Sequence, residues 1–119
     1  MAMNAYEIPS LRFSLPAGAA VEKHRFVSID GNGNGIKATA STRVVGASMN
    51  LVTAEEFTAG GHIVEVADGI VMVEAAGAIT SGAAVYSDAS GKAATSGTDI
   101  VGTAITAATA DGDLVAVKI

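Results

Sequence analysis

Two stretches of the chain repeat one pattern, DGNGNGIKATASTRVVGAS at residues 30–48 and DASGKAATSGTDIVGTA at residues 88–104. Glycine, threonine and a Val-Gly pair recur in both stretches, and Gly46 and Gly102 lie 56 residues apart. A sequence repeat of this kind reflects a structural unit that is built twice, so these stretches decide the architecture before any single motif does. We interpret the glycines and aspartates that recur in both copies as residues that form turns.

Shorter echoes extend the repeat on either side. PAGAAV at residues 16–21 is echoed by TSGAAV at residues 80–85, and GHIVEV at residues 61–66 is echoed by GDLVAV at residues 112–117. The sequence therefore predicts two copies of one β-unit.

Composition favours strands over helices. The 119 residues include 14 Gly, 13 Val, 10 Thr and 9 Ile but only 4 Leu, a balance typical of short strands joined by tight turns. We predict a mainly β fold: a small β-barrel or sandwich of two similar units, at about residues 16–66 and 79–119, with little helix. Within the first unit, Thr53 and Glu56 match a capping box, which predicts either one helical turn or a surface loop.

The N-terminal residues have no evident counterpart in the second unit. We predict an extended, apolar arm at residues 1–15, followed by a single β-domain at residues 16–119. The alternative is that the arm forms the first strand of that domain. An exposed apolar extension favours a partner, and the candidate partner-binding residues are Tyr6, Ile8, Leu11, Arg12, Phe13 and Leu15.

No pattern in the chain indicates catalysis, a metal or a cofactor. There is no cysteine, and neither His24 nor His62 has a second ligand at a metal-binding spacing. Asp30 opens a D-x-N-x-N-G sequence, but the twelfth position of a calcium loop is Ser41 rather than an acid, which favours a hairpin turn. We therefore predict that the chain is not an enzyme.

Net charge and hydropathy limit the classes of partner that the chain could bind. The net charge is −5, which argues against nucleic acid, and no apolar run approaches the length of about 20 residues that a membrane span requires. The N-terminus lacks the basic and apolar regions of a signal peptide, so we expect a soluble protein. Residues 1–43 carry a net charge of +2 and residues 44–119 a net charge of −7. This charge asymmetry could steer docking onto a charged partner; the alternative is ordinary solvated surface charge.

The second unit resembles the C-terminal half of the capsid decoration, or cement, proteins of tailed bacteriophages. The residues that carry the resemblance are Ile79, Gly82, Val85, Tyr86, Asp88, Gly91, Lys92, Thr95, Val101, Gly102, Ala104, Ala107, Ala108, Gly112, Asp113, Val115, Val117 and Ile119. The first unit matches less closely, because its turn DGNGNG is longer and no tyrosine follows Val21. The resemblance implies a small β-domain, homotrimers at threefold positions of an icosahedral shell, and an N-terminal arm that contacts the major capsid protein.

The leading hypothesis is a decoration protein that is made in the host bacterial cytoplasm and binds the outer capsid surface of the virion. There it would stabilise the head by bridging major capsid protein subunits. Two alternatives stay open. One is another virion structural protein, such as a head-fibre base or a tail component. The other is a virion-associated enzyme or binding module, which would require His62, Glu65 and Asp68 to converge in a pocket.

Overall fold

The computed structural model describes residues 5–119, which form nine strands and one short helix. In chain order these are β1 Ile8–Pro16, β2 Phe26–Ile29, β3 Gly35–Lys37, β4 Gly46–Ser48, α1 Ala54–Ala59, β5 Ile63–Glu74, β6 Ala84–Ser87, β7 Ala93–Ala94, β8 Gly102–Ala104 and β9 Leu114–Lys118. The mainly β fold predicted from the sequence is confirmed. Thr53 caps α1 in a full capping box with Glu56, so the helical turn is the correct one of the two readings.

All paired strands are antiparallel and form one curled sheet in the order β3-β2-β4-β5-β9-β8-β6-β7, with β1 added on β5. The 12-residue strand β5 is the centre of this sheet. One edge of β5 pairs with β1, and the other pairs with β4 near its start and with β9 near its end.

The prediction of two similar β-units is confirmed by matching hydrogen bonds. The Ala17 N–H donates to the His62 carbonyl at 3.0 Å, and the Ala75 N–H donates to the Asp113 carbonyl at 2.7 Å in the same relation. The first unit comprises β1 to β4 and the first half of β5. The second unit comprises the rest of β5 and β6 to β9, so the two units share β5.

The domain has two cores, one within the first unit and one that is formed mainly by the second unit, and β5 contributes to both from opposite faces. Val64 and Val66 are fully buried in the core of the first unit, whereas Val71 and Val73 are buried in the core of the second. Because successive strand residues point to opposite faces, even-numbered positions serve one core and odd-numbered positions serve the other. Phe26 of β2 also packs into the second core and ties the units together.

The structure corrects the alignment of the two units at their beginnings. Val21 bridges to Val52 in the first unit as Ile79 bridges to Ala108 in the second, so PAGAAV corresponds to residues 74–79. The match between PAGAAV and TSGAAV is therefore wrong. Runs of alanine and glycine recur by composition alone, and they carry little information about which side chain faces a core.

The turn after β2 needs a similar shift. Asp30 accepts the N–H groups of Asn32 and Asn34, and Asp88 accepts those of Ser90 and Lys92. The glycine with positive φ in the first turn is Gly33, at +82°, and its counterpart in the second turn is Gly91, at +77°. Gly35, at the start of β3, is therefore not the equivalent of Gly91. The D-x-N-x-N-G sequence forms a turn, as the sequence predicted.

Two recurring glycines, Gly46 and Gly102, do not form turns. Each lies in a strand, where a Cβ would overlap a backbone carbonyl oxygen of the next strand, that of Ala67 in one unit and that of Lys118 in the other. The interpretation of every recurring glycine as part of a turn is therefore wrong at these positions. Here the missing side chain permits close approach of the backbones.

The structure decides between the two readings of the N-terminal segment, and the first strand of the domain is the correct one. Residues 8–15 lie in β1, which pairs with residues 63–70 of β5 within the sheet, so they belong to the repeat rather than to an arm outside it. Pro16 pairs with Ile63 as Glu74 pairs with Leu114, so β1 is the counterpart of the second half of β5. The equivalence was hidden because β5 serves both units. Residues 1–4 of the predicted arm lie outside the described residues.

Candidate partner-binding surface

The strand β1 is an edge strand whose two ends are marked by proline. Among residues 5–119 it pairs with β5 alone, apart from an isolated bridge between Ala17 and Gly35 just beyond its end. Pro9 and Pro16 are the only prolines of the chain, and both lie in β1. Proline is typical of edge strands because it has no N–H to donate and because it limits pairing with further strands.

The hydrogen bonds between β1 and β5 show which main-chain N–H and carbonyl groups of β1 face β5 and which face away from it. The Ala17 N–H points toward β5. The direction of the main-chain N–H and carbonyl groups alternates along an antiparallel strand, so those of Ser14 and Arg12 point away from β5. Independent evidence comes from Glu65, the cross-strand partner of Ser14. The N–H of Glu65 donates to Asn50 at 2.8 Å, and its carbonyl accepts from Met49 at 2.9 Å, both on the side opposite β1.

The six residues predicted to bind a partner divide into two groups. Phe13 and Leu15 are partly buried and pack against the core of the first unit, so they hold β1 in place. The side chains that remain available are those of Tyr6, Ile8, Leu11 and Arg12. The exposed fractions are 42% for Tyr6, 61% for Ile8 and 55% for Leu11, and Arg12 is also exposed.

Exposed apolar side chains are concentrated in the first unit. Of the large apolar residues that are exposed, two belong to the second unit, Ile100 and Leu114. The others belong to the first unit or to the residues just before it: Tyr6, Ile8, Leu11, Ile29, Leu51, Phe57 and Ile63. The second unit has the same fold and serves as an internal control, so the fold itself does not require this exposure.

The sequence reasoning missed four of these apolar residues, which are Ile29 of β2 together with Leu51, Phe57 and Ile63. The last three lie on or beside the β4–β5 connection, which is five residues longer than the β8–β9 connection and contains α1. The signal was the greater length of this connection in the first unit, which marks an insertion relative to the second unit.

A chain of ion pairs joins the two units across β5. The Arg25 guanidinium lies 3.6 Å from Glu22 and 3.5 Å from Glu74, and the Lys92 ammonium lies 3.0 Å from Glu74 and 2.9 Å from Asp111. Hydrogen bonds to Asp111 and Glu74 raise the pKa of Lys92. The arrangement links the two units at their junction.

His24 has unusual backbone geometry. Its φ is +63°, whereas its counterpart in the second unit is Gly82, with φ of +84°. The imidazole Nδ1 lies 4.0 Å from Glu7, just before β1. Burial lowers the pKa of His24, and the charge of Lys23 lowers it further, while Glu7 opposes the shift. His24 is therefore a strained residue that lies where the N-terminal residues meet the domain.

The alternative of an enzymatic or carbohydrate-binding pocket required His62, Glu65 and Asp68 to converge. Glu65 and Asp68 lie on opposite faces of β5, because they are three positions apart along a strand. His62 faces Glu56 instead, at 3.7 Å. Asp68 lines an open groove of about 760 Å³ between the β3–β4 and β7–β8 connections, and neither Glu65 nor His62 lines it. The three residues therefore do not form one site.

Comparison with known proteins decides the family. The model of the phage cement protein family matches residues 7–119. The chain belongs to this family. The resemblance seen in the second unit is thereby confirmed and extends over the first unit as well.

A solved structure gives a second comparison. The head fibre gp8.5 N base of bacteriophage phi29 has a similar fold, with a TM-score of 0.71 over 92% of each chain at 20% sequence identity. Among curated protein sequences, none matches this chain. The family and the structural neighbour are virion structural proteins, not enzymes.

Two further observations concern residues 5–119. They contain no helix long and apolar enough to cross a membrane. They also bring together no group of three or more histidine, aspartate or glutamate side chains suited to a metal ion.

Proposed function

We propose that this member of the phage cement protein family binds the outer surface of the phage head and stabilises it by bridging major capsid protein subunits. The observation that carries the proposal is the exposed apolar surface at β1, formed by Tyr6, Ile8 and Leu11. Arg12 is the single charged residue of β1. Apolar exposure that a second copy of the same fold avoids is typical of a binding surface.

The proposed mechanism is adhesion without chemistry. Each β1 surface makes a modest contact, and a homotrimer makes three contacts at once, so the second and third form at high effective concentration. Such a trimer at a threefold position would hold neighbouring capsid subunits together. The protein would be made in the host bacterial cytoplasm and added to the head there.

Binding to purified, expanded capsids tests the proposal. The structure argues against deleting residues 1–15, because the deletion would remove β1 and uncover Val64 and Val66. A better variant is the pair Ile8→Ser and Leu11→Ser, since both side chains are exposed. The matched control is Ile100→Ser, which removes a side chain that is 64% exposed in the second unit.

The expected result is that the unmodified protein co-sediments with capsids as a trimer, that Ile100→Ser binds equally, and that the double variant binds at least about tenfold more weakly. A stable monomer that does not bind capsids would contradict the proposed cement function. Equal binding by all three proteins would refute the assignment of the surface.

A head-fibre base is the second candidate, favoured by the likeness to the phi29 head fibre base. Both candidates attach to a phage head, but a fibre base also carries a projecting fibre. Electron microscopy of decorated heads separates them: compact density over the shell supports cement, and density continuing into a fibre supports a base.

A further inference from the structure

The outer edge of β1 carries main-chain groups that no residue of 5–119 pairs with. The N–H and carbonyl groups of Arg12 and Ser14 point away from β5, as the pairing of Ala17 and of Glu65 shows. Unpaired N–H and carbonyl groups in a row form a template for one more strand. Pro9 and Pro16 limit the usable edge to about residues 10–15.

The second unit shows how the equivalent edge is used when it is covered. There the Glu74 N–H donates to the His24 carbonyl of the first unit at 2.9 Å, and Arg25 adds an ion pair with Glu74. Glu74 corresponds to Pro16, which has no N–H. A second copy of the chain therefore cannot repeat this junction on β1, which disfavours head-to-tail stacking of copies.

The chemistry of the edge limits its occupant. Arg12 is the one charged residue of β1, and it is exposed. A second β1 would bring another Arg12 with no acid beside it, whereas a segment that carries a carboxylate would complement the charge. Ile8 and Leu11 offer apolar contact at the same edge.

We propose that the outer edge of β1, at Arg12 and Ser14, accepts a short extended segment of the major capsid protein as an added antiparallel or parallel strand, with an acidic residue facing Arg12. The inference rests on the proposed capsid-binding function and specifies its contact. In this arrangement the cement protein supplies the sheet edge and the capsid supplies the strand, the reverse of an arm that invades a capsid sheet.

Hydrogen exchange on the unmodified protein, free and bound to capsids, tests this directly. We expect exchange of the Arg12 and Ser14 amides to slow by about tenfold or more on binding, because the added strand accepts from them. The Phe13 and Leu15 amides face β5, so they are protected before binding and serve as internal controls. Unchanged exchange at Arg12 and Ser14 in a bound sample would overturn the edge contact.

A pair of variants gives a second test. Ser14→Pro removes the outward N–H and leaves the bonds to β5, while Ser14→Ala keeps the N–H and loses the hydroxyl. We expect Ser14→Pro to weaken capsid binding about five- to tenfold and Ser14→Ala to change it by less than about twofold. Circular dichroism verifies that each variant is folded, and Arg12→Glu replaces Ser14→Pro if proline unfolds the domain.

The outcomes separate the two proposals. If the unmodified protein binds and Ser14→Pro or Arg12→Glu binds as tightly, the edge proposal fails and the cement function stands. If the unmodified protein does not bind capsids, both fail.

Discussion

Gly102 offers the sharpest test of the repeated unit. In β8 it passes so close to β9 that a Cβ would overlap the Lys118 carbonyl oxygen and lie 3.0 Å from the Ile119 side chain. The overlapped atom belongs to backbone that pairs in the sheet, where Thr103 faces Lys118, so it cannot move aside without disturbing the ladder. Gly102→Ala therefore requires β8 and β9 to separate.

The expected cost follows from forcing extra volume into a packed site, about 1–3 kcal/mol. For a domain of this size, that is a fall in Tm of roughly 4–12 °C. The matched control is Gly77→Ala, because a Cβ at Gly77 meets nothing within 4 Å and its φ is not positive. The control should be neutral or slightly stabilising, since alanine restricts the unfolded chain.

Thermal unfolding followed by circular dichroism, and urea titration at 25 °C, measure both variants. Gly46→Ala is the equivalent change in the first unit and should cost a similar amount, because its Cβ would overlap the Ala67 carbonyl oxygen. Loss of less than about 0.5 kcal/mol in Gly102→Ala, or equal loss in Gly77→Ala, would refute the close approach of the strands.

Further predictions concern single side chains. Burial lowers the pKa of His24, so its contribution to stability is present above the ordinary histidine pKa and is lost as the pH falls below that value. His24→Asn tolerates the positive φ and cannot titrate, so the loss of stability between about pH 7 and pH 5 should diminish; an unchanged pH profile in urea titrations would contradict this, and His62→Asn is the exposed control. Thr53→Ala breaks the capping box and should speed amide exchange in α1, with a local cost of about 1 kcal/mol; exchange at the unmodified rate would count against it. Lys92→Met removes two ion pairs at the junction, and because salt screens ion pairs near the surface, the fall in unfolding free energy should be small and vanish in high salt; a loss that persists at high salt would contradict the screening.

The repeat made the architecture predictable from sequence because the turns depend on chemistry that is visible there. Asp30 and Asp88 accept amides within their own turns, and Gly33 and Gly91 supply positive φ. Such residues are constrained by the local backbone, so their types recur in both copies. The capping residue Thr53 is local in the same sense.

The role of β5 could not be predicted, because it depends on contacts between distant residues. A sequence repeat with two separate copies places each strand in one copy only. The strand β5 instead is the last strand of the first unit and the first strand of the second. For the same reason residues 8–15 looked like an unmatched arm, although they pair along β5.

The candidate surface was predictable in part. The apolar character of residues 6–15 marked it, but alternation alone did not decide which side chains face the core. The side chains of Phe13 and Leu15 pack against the core because Val64 and Val66 lie opposite them in β5. The free outer edge is a property of the sheet and has no signature in the sequence beyond Pro9 and Pro16.

Cryo-electron microscopy of capsids decorated with the unmodified protein tests whether β1 binds the shell. We expect density for the domain on the outer shell, with the first unit against the capsid and a capsid segment lying along the outer edge of β1. Density in which the second unit faces the shell, and the β1 edge is open to solvent, would contradict it.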